Sequence, residues 1–460
     1  MSRRAHACAV VAAALALAVA GCGEPPSEDS PDVASAGLST VTFRLWDEAA
    51  ADAYRESFDA FNAIHPGLHV EVEVVPHESY AQAAEADLAA GTMADIFWTT
   101  SEGVAAEAAS GSLLPLDDVL GEDEETWDPA LAEPYEVDGE LWAVPQLWDA
   151  TVLFYNTALV ERAGVDPTAL TWDPAAGSLV ATAAPAPEPE PGPESESEPE
   201  ATEEPGTDDT LREAVRTLTR DSSGRSATEE GFDPAAVAEY GYNTDLTSPA
   251  VWLPFLAQLG ALPDGAQDLV LDGPAGRATF SYLAELPVAG AQAADVTARQ
   301  LFTSGRLALY QATSADLRHL QSHAQADWDL APIPAGPEGR ATVVDGVGAA
   351  ANAASEEPEA TAQVLRWLAS GDGQSALAGH GVGIPAAEGA QELYRQAWSQ
   401  RGVDVSAALD VPAVTVPTGP RVTDALEAVR PVLAGLFRGE VPAQEALAAA
   451  QATAEEILRS

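Results

Sequence analysis

Apolar and polar residues alternate with period two from Thr40 to Trp46 (TVTFRLW) and again from Leu68 to Val75 (LHVEVEVV), the pattern of half-buried strands. Between them, Glu48–Ile64 carries apolar residues at helical spacing and stops at His65-Pro66-Gly67, where proline and glycine break a helix. A second helix is predicted from about Ser79 to Ala90, then a short buried strand, ADIFW, at Ala94–Trp98. Strand, helix, strand, helix, strand at this spacing predicts βαβ units and a mostly parallel α/β sheet. Order continues after Asp209 with a helix (DTLREAVRTLT) and then alternates. Helices are predicted at Gly276–Leu286, Arg299–Ser304, Pro358–Leu368, Val422–Leu436 and Ala443–Leu458, and strands at Leu307–Gln311, 328–334 and Thr342–Val344.

Two segments fall outside this pattern. Residues 1–21 read as a secretory signal: Arg3 and Arg4, an apolar run too short to span a bilayer, then Val19-Ala20-Gly21-Cys22. The ending VAGC looks like a lipobox, which predicts cleavage before Cys22, lipid on that cysteine and attachment to the outer face of a membrane. Residues 22–39 form a polar, proline-bearing tether. Between 183 and 206 lie eight glutamates and no base, a composition that cannot offset ordering entropy, so a disordered acidic insertion is expected there.

Composition removes whole classes of function. A formal net charge of −52 over 460 residues repels phosphate backbones, so no nucleic-acid partner is expected. All 21 basic residues are arginine, which excludes P-loop NTPases and Schiff-base enzymes, since both need a lysine amine. Cys8 leaves with the signal, so the mature chain carries no disulfide, cysteine nucleophile or thiolate metal site. Gly346-Val347-Gly348 followed by three alanines imitates a dinucleotide fingerprint, but the next helix begins too late to serve it. His319 and His323 stand four apart without a third ligand, and no G-x-S-x-G elbow occurs. No metal, cofactor or catalytic residue is expected.

What remains is a repeated association of tryptophan with polar groups. Trp46-Asp47-Glu48 and Trp98-Thr99-Thr100 fall where the first and third strands run out, the end of such sheets at which ligands bind. Trp148-Asp149 occupies a comparable place in the connection entering the next unit.

The stretches TVTFRLWDEAAADAYRESFDAFNAIHPGLHVEVEVVP, GTMADIFWTTSEGVAAEAASGSLLPLDDVL and DGELWAVPQLWDATVLFYN, with LFTSGRLALYQ and DWDLAPIPAGPEGRATVVDGVG later on, resemble family 1 extracellular solute-binding proteins. These are the sugar-binding lipoproteins of ABC importers, related to maltose-binding protein. The resemblance covers nearly all of 40–460 and implies an α/β, two-lobed periplasmic-binding-protein-like fold of type II, with a ligand cleft between lobes joined by a multi-crossing hinge. It places 40–146 and 349–386 in lobe 1 and 148–347 and 388–460 in lobe 2. It also implies a monomeric, extracytoplasmic, non-enzymatic protein that delivers a carbohydrate to permease subunits served by a separate ATPase. By the same resemblance Asp149 holds sugar hydroxyls, and Trp148, Trp98 and the stretch Trp46 to Glu48 line the cleft. Thr99, Tyr242, Asn243, Trp252 and Asp345 are further candidates.

The chemistry agrees: an indole covers the apolar face of a pyranose, and a carboxylate accepts two of its hydroxyls. A polyol, opine or small peptide as ligand, and a cell-surface glycosidase, stay open as alternatives. The chain departs from its relatives at Ala312-Thr313-Ser314-Ala315, where many have a tryptophan. It also departs in the short segment between Leu286 and Arg299 and in the acidic insertion, which leaves the identity and size of the sugar open.

Overall fold

A computed structural model describes residues 38–120, 127–176, 209–262, 269–287, 296–415, 417 and 421–459. The signal peptide, Cys22, most of the tether and the acidic segment 183–206 lie outside the described residues. The described part forms one compact unit.

Strand β1 (Ser39–Leu45) buries Val41, Phe43 and Leu45. Helix α1 (Glu48–Ile64) starts at Asp47, whose side chain accepts from the amides of Ala49 and Ala50, satisfying donors that a helix start leaves free. Its buried face, Ala50, Tyr54, Phe58 and Phe61, recurs every three to four residues and lies on the sheet. β2 (Leu68–Val74) pairs in parallel with β1. α2 (His77–Ala90) follows Pro76, two residues earlier than the sequence indicates, and ends at Gly91 in the left-handed region (φ 70°). β3 (Ile96–Thr100) then pairs in parallel with β1 and leads directly into α3 (Ser101–Ala109). Arg44 ties these elements together: although only 6% exposed, it donates to Glu73 (2.9 Å) on β2 and Asp87 (2.7 Å) on α2.

Two long strands carry the sheet onward. β4 (Ala143–Asn156) is 14 residues long and buried almost throughout. Trp148 and Asp149 therefore sit in mid-strand, a correction to their placement in a connection; the chain stays extended because it has hydrogen-bonding neighbours on both sides. β5 (Val237–Asn243), β6 (Leu307–Thr313) and β7 (Thr342–Ala351) complete the main order β2-β1-β3-β7-β4-β6-β5. The first half of β4 pairs antiparallel with β7, whereas Thr151–Tyr155 pair antiparallel with β6. β7 in turn lies antiparallel to β3.

β7 runs well past Val344, where the sequence ends its strand, so the Gly346-to-Ala351 run is sheet. Its glycines serve close packing. A Cβ on Gly348 would lie 2.8 Å from Ala143 Cβ and 2.9 Å from a Tyr135 ring carbon, and one on Gly346 would collide with the Leu147 carbonyl.

Three apolar clusters hold the unit. One packs α1 and α2 over β1–β3 through Phe43, Tyr54, Phe58 and Phe97. A second joins Trp172, Trp252, Phe255 and Phe280 to helices Val422–Phe437 and Ala443–Arg459. A third gathers Phe154, Tyr310, Ile384, Tyr394 and Trp398. Each fully buried large side chain contributes about 1.5–3 kcal/mol of transfer free energy. Among the described residues no helix is long and apolar enough to cross a membrane.

Candidate functional site

Where β4 and β7 cross between the two halves of the sheet, their register sets Asp149 opposite Asp345 and Trp148 opposite Gly346. Both carboxylates open into a cleft of about 440 Å³, whose walls include Trp46, Thr100, Pro249 and Thr313. Such a volume is within the roughly 300–1,000 Å³ usual for small-molecule sites.

Asp149 is half-buried, and its Oδ1 accepts from Ser314 Oγ at 2.7 Å; Ser314 Oγ in turn accepts from the Ala150 amide at 3.1 Å. Burial lifts the Asp149 carboxyl to about 6, against the Ser314 hydrogen bond and the charge of Arg318, which pull it down. Asp345 is exposed along the cleft, and its Oδ1 accepts from the Gly346 amide at 2.8 Å. Its surroundings also raise it, through desolvation first and the charge of Asp149 after the opposing Gly346 bond. Two facing acceptors that are reluctant to ionise will gain from any ligand hydroxyl that donates to them.

Trp46, at the end of β1, is half-buried. It stands at 4.8 Å from both Trp98 and Tyr80, edge to face in each case, and 5.7 Å from His77. This packing fixes one indole as part of the cleft wall. Asp47 caps α1 and meets Arg318 at 3.3 Å, linking the start of α1 to the helix Leu317–His323. Glu48 faces solvent in the first turn of α1.

The remaining candidates scatter. Trp98 is buried, its Nε1 donating to Tyr54 OH at 3.2 Å. Thr99 is buried and donates to Glu107 at 2.8 Å. Trp148 Nε1 donates to the Pro385 carbonyl at 3.3 Å, and its ring borders a small void beside the cleft.

Tyr242 and Trp252 require correction. Tyr242 OH donates to Gln311 at 2.9 Å within the core, and Trp252 is wholly inaccessible against Phe280. A large ring satisfies a core position as well as a cleft, and the apolar neighbours in Val251–Leu256 pull the whole turn inward. Asn243 borders a separate groove with Arg299 and Tyr310. Sequence reasoning missed Ser314 and Arg318. Ser314 lies within the Ala312–Ala315 departure and Arg318 just beyond it, so the departure marked the place but not the role.

Residues 46–375 match the family model of the bacterial extracellular solute-binding proteins. UspC of Mycobacterium tuberculosis, a solved structure, is 34% identical and superposes with a TM-score of 0.74, covering 91% of this chain and 100% of its own. A binding protein of Brucella abortus is 27% identical over 141 residues, 30% of this chain and 34% of its own. The galactooligosaccharide-binding protein of Bacillus subtilis is 26% identical over 163 residues, 35% of this chain and 38% of its own. The match thus spans little more than a third of the length of these two curated relatives. The fold is the two-lobed, type II arrangement with its cleft at the strand crossing.

Proposed function

Since the chain belongs to the bacterial extracellular solute-binding proteins, a family of binding proteins rather than enzymes, we propose that it captures a carbohydrate and delivers it to an ABC permease. The observation that carries this reading is the cleft itself, where one fixed indole, Trp46, shares the walls with the facing carboxylates Asp149 and Asp345. A pyranose offers an apolar face for the ring and hydroxyls for the acids. The galactooligosaccharide-binding relative supports a sugar as the ligand class.

In this reading 40–146 and 349–386 form one lobe and 148–347 and 388–460 the other. The buried residues of the first apolar cluster come only from 41–147 and 349–377, which supports the division. Ligand that touches both lobes stabilises the closed state by the contacts it gains there. Asp149 is the principal acceptor, Asp345 the second, and Trp46 the stacking surface. The mature chain is a monomer held by lipid on Cys22 at the outer face of the membrane, and a separate ATPase supplies the energy for transport.

A thermal-melt screen of the mature protein against mono- and oligosaccharides tests this. Ligand at ~100 times its Kd adds about 2.7 kcal/mol to stability. A rise with one sugar family, and intact sugar recovered afterwards, is expected. No rise with any carbohydrate would overturn the ligand class, and recovery of shortened sugar would replace the carrier with a glycosidase.

A further inference from the structure

Trp46 and Thr100 belong to two hollows at once. One is the cleft with Asp149 and Asp345; the other, of about 700 Å³, opens between α2 and α3 at the end of β3. Tyr80, Leu88 and Trp98 give the second hollow an apolar lining, and small residues such as Ala84 and Ala106 leave it wide.

Glu107, on α3, stands in this apolar setting. Its Oε2 accepts from Thr99 Oγ1 at 2.8 Å, and among the described residues no cation pairs with it. Burial raises its pKa. The approach to Oε1 is kept open by Gly103, in the first turn of α3. A Cβ there would lie 2.9 Å from Thr99 Oγ1 and 3.4 Å from Glu107 Oε1. Gly103 has ordinary negative φ, so its conformation does not call for glycine, and glycine in a helix costs about 1 kcal/mol relative to alanine. Here that cost leaves room around a carboxylate with an unused acceptor.

We propose that this hollow is a second part of the ligand site, receiving an apolar, hydrogen-donating aglycone of a glycoside whose sugar ring lies in the main cleft. The proposal rests on the sugar-binding reading above. Its argument is continuity: the indole that closes one wall of the cleft also forms a wall of the hollow, so a substituent leaving the sugar at Trp46 passes directly onto apolar surface. Glu107 Oε1 would accept from the donor at its far end, which suits an aromatic amine or phenol.

Calorimetric titration of the full mature chain with matched methyl and p-aminophenyl glycosides of glucose, galactose, maltose and lactose tests it. The aminophenyl member of the binding pair should bind roughly tenfold tighter, from ring burial plus one hydrogen bond. Ala106→Leu fills the hollow from an exposed helical position, and Glu107→Gln changes only the acceptor. Ala106→Leu should remove most of that gain and Glu107→Gln the hydrogen-bonding share of it, each leaving the methyl glycoside unchanged, with a single cooperative melt at or above the wild-type temperature showing that the variant is folded. Equal affinities within a pair, or a gain that survives both substitutions, would overturn the second site and leave the sugar reading standing. Binding of no glycoside at all would overturn both.

Discussion

Asp149→Asn should make the unliganded protein more stable and the liganded one weaker. The substitution keeps the side-chain shape and an oxygen to accept from Ser314, but removes the charge. Folding raises this carboxyl from 3.8 to about 6. Below 3.8 both folded and unfolded chains hold the proton and nothing is lost. Between 3.8 and about 6 the unfolded chain ionises first, so stability falls as pH rises; above 6 the penalty is constant.

At roughly 1.4 kcal/mol per pH unit the full penalty is about 3 kcal/mol. Water reaching the half-buried group reduces it to about 1–2 kcal/mol. For a chain of this size that is about 1–3 °C in Tm. Melts of both proteins from pH 4 to 8 should therefore show the Asn variant gaining only as pH climbs through 4 to 6. At pH 7.5 its affinity for the identified sugar should drop about 10–100-fold, the loss of a charged acceptor. An equal gain at pH 4 and pH 8 would refute the desolvation argument. Undiminished sugar affinity would remove Asp149 from the site.

Gly348→Ala places a methyl against Ala143 and Tyr135 where β7 meets β4, and should destabilise by about 1–3 kcal/mol through overpacking; urea unfolding with an unshifted midpoint would contradict the close approach. Arg318→Ala removes the 3.3 Å contact with Asp47, both side chains being nearly 40% exposed. A pair so wet is worth about 0.2–1 kcal/mol, so the balance between closed and open lobes should shift by a factor of about 1.5–5. Small-angle scattering of the sugar-free protein should show a slightly larger radius of gyration at low salt. In 1 M salt, which screens the pair in the wild type, the two proteins should converge.

By itself the sequence determined the local elements and the family. Glu48–Ile64 is legible because its cap, its apolar period and its Pro-Gly stop all lie within twenty residues, and LHVEVEVV because alternation is a property of neighbours. The same local grammar marked Trp46 and Asp149, the resemblance added Asp345, and the three share one cleft. Only the tertiary structure decided which rings are walls and which are core. Trp46 and Trp252 carry the same indole, yet one follows the first strand into the cleft wall and the other is enclosed by Phe280 and its neighbours. It also carried the strand on from Val344 through Gly346–Ala351, because only the partner strands reveal how closely the backbones approach. Finally, the register that brings Asp149 to Asp345, 196 positions apart by their numbers, is a long-range pairing, and so is the bond from Ser314 to Asp149. Periodicity reports what a residue offers to its own element; which distant element accepts it is fixed by the packing of the whole.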